Sequence, residues 1–530
     1  MRYFNTAGPC NPALHYMIPA AERLPEAREL MEQGFYFVVH APRQTGKTTT
    51  LMALARSLTD GGQLAALHFS CEAGEPAGDD YFQAQRAVLG AIRFSAEAQL
   101  PVELRPPEAW PDTAEPTLLL TALSGWAKKC PRPLVLIFDE IDALRGEGLR
   151  SVLRQLRSGY SYRPQAFPHS VVLCGLRDVR DYKAESGGDP GRLGTSSPFN
   201  IKVESLRLGD FTEEEVRALY RQHEEETGQP FTAEAVDKAF ELTQGQPWLV
   251  NALAREVTAK MKIPPPTAIT VDHLEEAKER LILARATHLD SLVARLHEPR
   301  VRRIIEPLIA GTIEANPTYE DDFAYVRDLG LVAAQAPARV ANPIYREVVV
   351  RLLAAAAEGR VEVDPRSFIA ADGRLDLDLL FKEFASFWRE HGEILATEIA
   401  YHEVAPQLVL MAFLQRIVNG GGYVEREYGV GRGWIDLLIR WPYSGPSGKR
   451  SWQREAVELK VWKAGRPNPL REGLSQLDGY LDKLGLDRGR LVIFDRRQTV
   501  KVGEGARPSE ARSEESQTPK GRWVNVLVLC

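Results

Sequence analysis

Two stretches of this chain carry side chains suited to chemistry on phosphates. The first is APRQTGKTT at 41–49. A phosphate-binding loop needs successive backbone N–H groups turned inward, a lysine for the terminal phosphates and a hydroxyl for Mg2+. Gly46, Lys47 and Thr48 supply the lysine half of that pattern, and Ala41, Arg43, Gln44, Thr45 and Thr49 complete the candidate cradle. Ala41 stands where the pattern has its first glycine, a change that a small side chain permits. An apolar run at 35–40 precedes the loop and an amphipathic stretch follows it, giving the strand–loop–helix context the motif requires. A chance Gly-Lys-Thr at a helix start is the bland reading. It weakens beside LVLIFDEIDAL, an apolar strand that ends in Asp139 and Glu140. Asp139 would hold Mg2+ through water and Glu140 would polarise the attacking water, and phosphoryl transfer asks for little beyond such positioning and charge neutralisation. The implied cofactors are ATP and Mg2+.

The second stretch is GWIDLLIRW, then EAVELKVW, then SQLDGY. Alternate residues of a strand share a face. Val457, Leu459 and Val461 therefore face one way and Glu458 and Lys460 the other, while Ile435, Leu437 and Ile439 leave Asp436 on the polar face. The turn residues 444–448 surround position 447, midway between 436 and 458, so a hairpin centred there sets Asp436 opposite Glu458. Hard cations such as Mg2+ take carboxylate oxygens, and Mn2+ suits the same donors. Lys460 would orient water or neutralise developing charge. Gln476 and Tyr480, four apart beside the leucine stripe 470, 474, 477 and 481, project together on one helix. An exposed Glu-x-Lys ion pair of no consequence is the competing account. Between 426 and 466 nine Lys or Arg stand against four acids, with Trp434, Trp441, Trp452 and Trp462 interleaved. Basic groups hold phosphates and aromatic faces stack on bases, although at least two of these tryptophans are expected to be core.

PRQTGKTT, FDEIDAL and the downstream GQPWLVNAL resemble the bacterial and archaeal AAA-like ATPases of the STAND and archaeal-ATPase branch, over about residues 1–355. The resemblance implies that Gly245-Gln246-Pro247 opens a lid helix, with Pro247 at the nucleotide, and that Arg177 stands where the family has its γ-phosphate sensor. It also implies a homo-oligomer through the ATPase as one option. Asp…Glu-x-Lys…Gln-x-x-x-Tyr resembles the PD-(D/E)XK nuclease superfamily, over about 393–497. That likeness implies a further acid from an earlier helix, with Glu403 the best match and Glu398 its rival. The usual Gly-Arg-x-Asp is interrupted here by Gly433-Trp434-Ile435 between Arg432 and Asp436.

The fold class expected is α/β and multidomain: a P-loop ATPase parallel sheet with helical lid, a winged-helix-like unit and a C-terminal α/β nuclease-like domain. At about 150 residues per domain, 530 residues imply three or four. The divisions fall at 1–208 for the ATPase core, 209–290 for the lid, 291–358 for the winged-helix-like unit, 359–392 for a linker and helix, and 393–530 for the nuclease-like domain. Candidate core strands are 35–40, 64–70, 133–140 and 169–176. Thr212 and Glu215 form a capping box, LVAAQAPARVANPIY reads as strand–turn–strand, and 498–520 as a mobile loop. The groove-facing helix of the winged-helix-like unit carries Glu320, Asp321, Asp322 and Asp328 against Arg327, so packing on the ATPase is favoured over reading DNA.

Hydrophobic residues at 44%, charged residues at 26% and a net charge of −6 fit a globular protein that would meet nucleic acid, DNA before RNA, only through a local patch. No apolar run reaches a membrane span, and five scattered cysteines without CxxC suit a reducing, cytoplasmic location. His223 reads as lying on a solvated helix face. The function implied is an ATP-hydrolysing protein coupled to a metal-dependent nuclease, in defence or control of mobile elements. The alternative is a STAND-type nucleotide switch whose nuclease-like domain only binds.

Overall fold

The structure is a computed structural model that describes residues 1–176, 201–284, 287–310, 321–358, 365–392, 405–418, 422–430, 433–444, 450–463, 465–497 and 511–529. Arg177, Glu398, Glu403 and Arg432 lie outside the described residues. The chain divides into two compact units, Met1–Leu292 with Ala315–Ile344, and Val293–Glu314 with Tyr345–Cys530. Residues 291–358, read from sequence as one unit, are shared between them.

The first unit is built on five parallel strands, β1 (Tyr36–His40), β2 (Ala65–Ser70), β3 (Leu134–Asp139), β4 (Ser170–Gly175) and β5 (Ser205–Arg207), in the order β2-β3-β4-β1-β5. Four of them match the expected runs. β3 and β4 are buried along their whole length, as a parallel sheet covered on both faces requires. Helices α1 (Pro25–Glu32) and α2 (Lys47–Asp60) cover one face, with Leu51, Leu54 and Leu58 against Val135, Ile137 and Val172. Helices α3 (Tyr81–Gln99), α4 (Leu118–Lys129) and α5 (Gly146–Gly159) cover the other, where Phe69 meets Phe138 edge-on at 4.6 Å between centroids. That ring pair adds about 1 kcal/mol beyond its buried area.

The segment that the sequence suggests as a lid follows as α6 (Glu213–Thr227), α7 (Ala233–Thr243), α8 (Pro247–Arg255) and α9 (Val271–Leu283). Thr212 and Glu215 form the expected capping box, each side chain taking the other's backbone N–H. His223 is not solvated. It lies buried at 7% exposure against Phe4, Tyr16 and Phe231, because the N-terminal segment folds over the α6 face that the sequence leaves apparently free.

After α10 (Thr287–Leu296) and α11 (Pro299–Ala310), helix α12 (Asp321–Asp328) and the segment behind it belong to the first unit. The strand–turn–strand expected at 331–345 is reduced to a single antiparallel bridge, Val332–Val340. Pro337 offers no N–H for a ladder and Pro343 starts helix α13 (Pro343–Glu358). This segment packs on the phosphate-loop side of its unit. A Cβ on Gly330 would come within 2.7 Å of Pro42, and Arg339 donates to Gln244 Oε1 at 3.2 Å.

The second unit carries a six-stranded mixed sheet in the order β10-β11-β9-β8-β7-β6. Its strands are β6 (Tyr423–Val430), β7 (Gly433–Ser444), β8 (Arg450–Lys463), β9 (Arg488–Arg496), β10 (Arg512–Gln517) and β11 (Trp523–Leu529). Helices α14 (Leu377–Phe387) and α15 (Ala405–Val418) precede it, and α16 (Leu470–Leu484) makes the crossover between parallel neighbours β8 and β9. Part of the loop expected at 498–520 is strand β10, paired antiparallel with β11. Its sequence, RSEESQ, is polar on both faces because it is an exposed edge, so it shows no alternation to read. Among the described residues no helix is long and apolar enough to cross a membrane.

Candidate nucleotide site and acidic site

Strand β1 delivers the chain to the C-terminal edge of the sheet at Ala41, which is fully buried and not at positive φ, so a glycine's extra freedom is not used there. The loop then turns through two left-handed residues, Gln44 at φ 61° and Gly46 at φ 89°, and enters α2 at Lys47. Lys47 Nζ donates to the carbonyls of Ala41 at 2.7 Å and Pro42 at 2.8 Å, folding the ammonium back over the loop. Thr45 is buried and donates to the Pro42 carbonyl at 2.9 Å, while Arg43 and Gln44 are exposed at the crown. A helix N-terminus with free amides and a positive dipole end is suited to phosphate. The Thr49 hydroxyl accepts the Cys10 amide at 3.0 Å and so faces the N-terminal segment.

The acid pair sits at the end of β3, separated from β1 by β4. Asp139 is 2% exposed, and its Oδ2 accepts from Thr48 Oγ1 at 2.7 Å and lies 2.9 Å from His68 Nε2. Its Oδ1 accepts the Glu140 amide at 3.0 Å. Burial alone would raise the Asp139 carboxyl, but His68, Thr48 and the Cys174 thiol together outweigh it and hold the group below the usual carboxylate range. Glu140 adopts φ 53°, and its carboxylate accepts from Ser70 Oγ at 3.1 Å. Partial burial pushes Glu140 up, and Ser70 only partly offsets burial and the neighbouring acids Glu72, Asp139 and Asp142.

The lid meets the loop at Gly245-Gln246-Pro247. Pro247 is the first residue of α8, and Gln246 caps that helix by accepting the Leu249 amide at 2.6 Å while its Nε2 reaches the Gln44 carbonyl at 3.5 Å. Position 245 requires glycine: its backbone is at φ 77°, and a Cβ there would stand 1.9 Å from the Phe211 carbonyl oxygen. Sequence reasoning missed three side chains here: His68, Ser70 and Arg23. Arg23 donates to the Thr45 carbonyl at 2.9 Å and the Gly209 carbonyl at 2.7 Å, stacked 4.6 Å over Phe211, and thereby ties the loop to the lid entry.

In the second unit the hairpin register is the one expected. Leu437 pairs with Val457, which sets Asp436 across from Glu458. Asp436 Oδ2 accepts the Leu459 amide at 2.7 Å, so the carboxylate bridges the two strands where the ladder ends. The face that carries these acids is not a solvated one. Leu438 and Ala456 lie on it and pack with Leu474, Leu477 and Leu481 of α16, because neighbouring residues of both parities in β7 and β8 are apolar. Glu458 is 3% exposed. Lys460 Nζ donates to Glu458 Oε1 at 2.9 Å and to Gln476 Oε1 at 2.5 Å, joining strand and helix. Tyr480 packs half-buried against the same core.

Burial and the Asp436 charge push the Glu458 carboxyl up to about 7 against the pull of Lys460. Its Oε2 is buried with no hydrogen-bond partner. A buried acceptor left bare costs about 1–3 kcal/mol, and beside a second carboxylate it is the kind of atom that a divalent cation satisfies. Among the described residues no group of three or more His, Cys, Asp or Glu is placed to hold a metal, so Asp436 and Glu458 stand as a pair. Three of the interleaved tryptophans have internal partners. Trp441 donates to the Gly373 carbonyl at 3.0 Å, Trp452 lies under Arg440, and Trp462 lies under Arg497.

No family model matches the chain, and no curated protein matches it. Among solved structures it is similar to the Walker-type ATPase of Pyrococcus abyssi, at 12% identity and a TM-score of 0.44 over 65% of this chain and 99% of that one. It is also similar to Cdc6p of Pyrobaculum aerophilum, at 12% identity and a TM-score of 0.37 over 64% of this chain and 96% of that one. A third likeness is to the RuvB Holliday junction branch migration motor of Thermotoga maritima, at 14% identity and a TM-score of 0.33 over 62% and 93%. Likenesses this distant decide neither substrate nor activity, which rest on the side chains.

Proposed function

We propose that this protein binds and hydrolyses ATP in its first unit and uses that cycle to control a metal-dependent nuclease in its second. The nucleotide half is supported by Lys47 and Thr48 at the N-terminus of α2 and by the Thr48–Asp139 contact of 2.7 Å. Thr48 and Asp139 are the residues that would hold Mg2+. Lys47 would leave the loop carbonyls for the terminal phosphates, and Glu140 would take a proton from the attacking water. Ser70 holds the Glu140 carboxylate until then.

The observation that carries the nuclease half is the bare, buried Glu458 Oε2 opposite Asp436. Asp436 and Glu458 are the residues that would hold a divalent cation, with Glu403 as a further candidate. When bound, the cation supplies charge neutralisation and an acidified water. Lys460 is placed to neutralise charge on the phosphodiester, and Gln476 fixes where its ammonium points. The favoured substrate is DNA. A defence or mobile-element role is proposed with it, and the protein is taken to act in the cytoplasm, alone or as a homo-oligomer. Incubation of plasmid DNA with Mg2+ or Mn2+ tests this half: nicking or linearisation by the wild type should disappear in Glu458→Ala.

A second reading is a nucleotide switch whose C-terminal domain binds a partner without cutting. It is favoured by the presence of only two described carboxylates, one already engaged by the Leu459 amide. Slow ATP turnover with no metal-dependent cutting of any DNA would select it.

A further inference from the structure

Strand β2 pairs with β3 so that Ser70 stands opposite Asp139 and His68 opposite Ile137. Ala66 of β2 and Val135 and Ile137 of β3 pack on the face that α2 covers, and alternation puts His68 and Ser70 on that face too. Besides Ser170 at the start of β4, which donates to the Phe35 carbonyl, His68 at 5% exposure is the polar side chain set among the apolar residues of this face. A buried imidazole costs desolvation that a valine or isoleucine would avoid, and one hydrogen bond offsets only part of it. Its polarity therefore calls for a reason beyond filling space. The partner it finds is Asp139 Oδ2 at 2.9 Å, the oxygen that also accepts from Thr48. An ionised carboxylate is acceptor-only, so Nε2 of His68 carries the hydrogen.

We propose that His68 is the positioning residue for Asp139, the buried donor that keeps this carboxylate aimed at the nucleotide site. The proposal rests on the reading of the first unit as an ATP site. Besides His68, the Thr48 hydroxyl and the Glu140 amide donate to Asp139, and the buried Cys174 thiol adds a weaker hydrogen bond. The Thr48 hydroxyl is the one read as turning toward Mg2+, and when it turns its bond to Oδ2 is given up. The Glu140 amide then holds Oδ1 and His68 holds Oδ2. With one donor on each oxygen the carboxylate cannot rotate about its own axis. Without His68, the carboxylate would keep only the Glu140 amide and the weak Cys174 thiol at the moment its direction matters. Partners of this kind, one bond removed from a metal site, typically change metal affinity or activity by about 10–100-fold when removed.

The test compares His68→Leu, which fills the site without a donor, with His68→Gln, whose amide N–H reaches about as far as Nε2. Binding of a fluorescent ATP analogue is measured in EDTA and in Mg2+, beside kcat and KM for ATP and a melting curve. His68→Leu should bind the metal-free nucleotide as the wild type does. It should lose about tenfold or more of the tightening that Mg2+ brings and of kcat, and His68→Gln should recover most of both. Wild-type Mg2+ tightening and kcat in His68→Leu would overturn the proposal, and so would equal losses in the Leu and Gln variants. If His68→Leu does not fold, His68→Asn takes its place, because its shorter amide stops short of Asp139. Asn impaired beside an active Gln supports the role, and equal behaviour of the two overturns it. A wild type that binds ATP no better than Lys47→Ala removes the ATP reading itself. A wild type that turns over ATP beside an unaffected His68→Leu removes this inference alone.

Discussion

Asp139 and Glu458 are two carboxylates with the same burial and opposite fates. Each stands on a strand face covered by a helix, and they are 2% and 3% exposed. Asp139 receives the Thr48 hydroxyl, the His68 imidazole and the Glu140 amide, and its charge is held below the usual carboxylate range despite burial. Glu458 has Lys460 on one oxygen, nothing on the other and Asp436 across the hairpin, and it is pushed up to about 7. Burial does not decide the protonation of a carboxylate by itself; the donors and charges aimed at it do. The first carboxylate is held by the protein's own donors. The second site holds a carboxyl pushed up to about 7, with one oxygen left bare.

The largest expected effect tests the first site. Lys47→Ala should cut ATP turnover by about 100-fold or more, since the charge on the transferring phosphoryl group would lose its fixed partner. Phosphate release within about tenfold of wild type would break that half of the comparison.

Exchanging each carboxylate for its amide sharpens the contrast, because the same change should act with opposite sign. Asp139→Asn removes a charged acceptor from the Thr48, His68 and Glu140 donors and should destabilise the first unit by about 2–3 kcal/mol at neutral pH. Glu458 has a raised pKa, so its contribution to stability is complete below its ordinary value near 4.5 and is lost as pH rises through about 7. Glu458→Gln stays neutral throughout. In metal-free buffer it should therefore be more stable than wild type at pH 8, by about 1–3 kcal/mol, and show no such gain at pH 4.5. Melting curves at the two pH values decide, and a Glu458→Gln protein weaker than wild type at pH 8 would contradict the raised carboxyl.

The same titration should govern metal binding. Without nucleotide, Mn2+ should bind roughly tenfold more tightly at pH 8 than at pH 6, because the Glu458 proton must leave first. Calorimetry showing pH-independent affinity would count against it. The smallest effect is expected at Arg23, whose two bonds to the Thr45 and Gly209 carbonyls join loop and lid. Arg23→Ala should cost about 1–2 kcal/mol of stability and raise KM for ATP more than it lowers kcat.

The phosphate loop and the acid pair were legible because each is a local string: a buried strand, a turn that only Gly46 relaxes, and a helix start. The Asp436–Glu458 register was legible for a similar reason, since the turn around 447 fixes the hairpin. What escaped depends on which strands become neighbours. His68 is remote in sequence from Asp139, and nothing in either segment says that β2 lies beside β3. Arg23 lies on a single helical turn and acts on the loop through space. The acid-bearing face of β8 reads as polar in the sequence because Glu458 and Lys460 alternate with apolar residues. Leu438 and Ala456, which draw α16 over that face, show their role only once the sheet is assembled.

The most direct test of the account is cutting of supercoiled, linear and single-stranded DNA in Mg2+ or Mn2+, with and without ATP. It compares wild type with Lys47→Ala and Glu458→Ala. An ATP-controlled nuclease predicts cutting that Glu458→Ala abolishes and that ATP alters in the wild type but not in Lys47→Ala. ATP turnover by a wild type that cuts none of these substrates with either metal would contradict it.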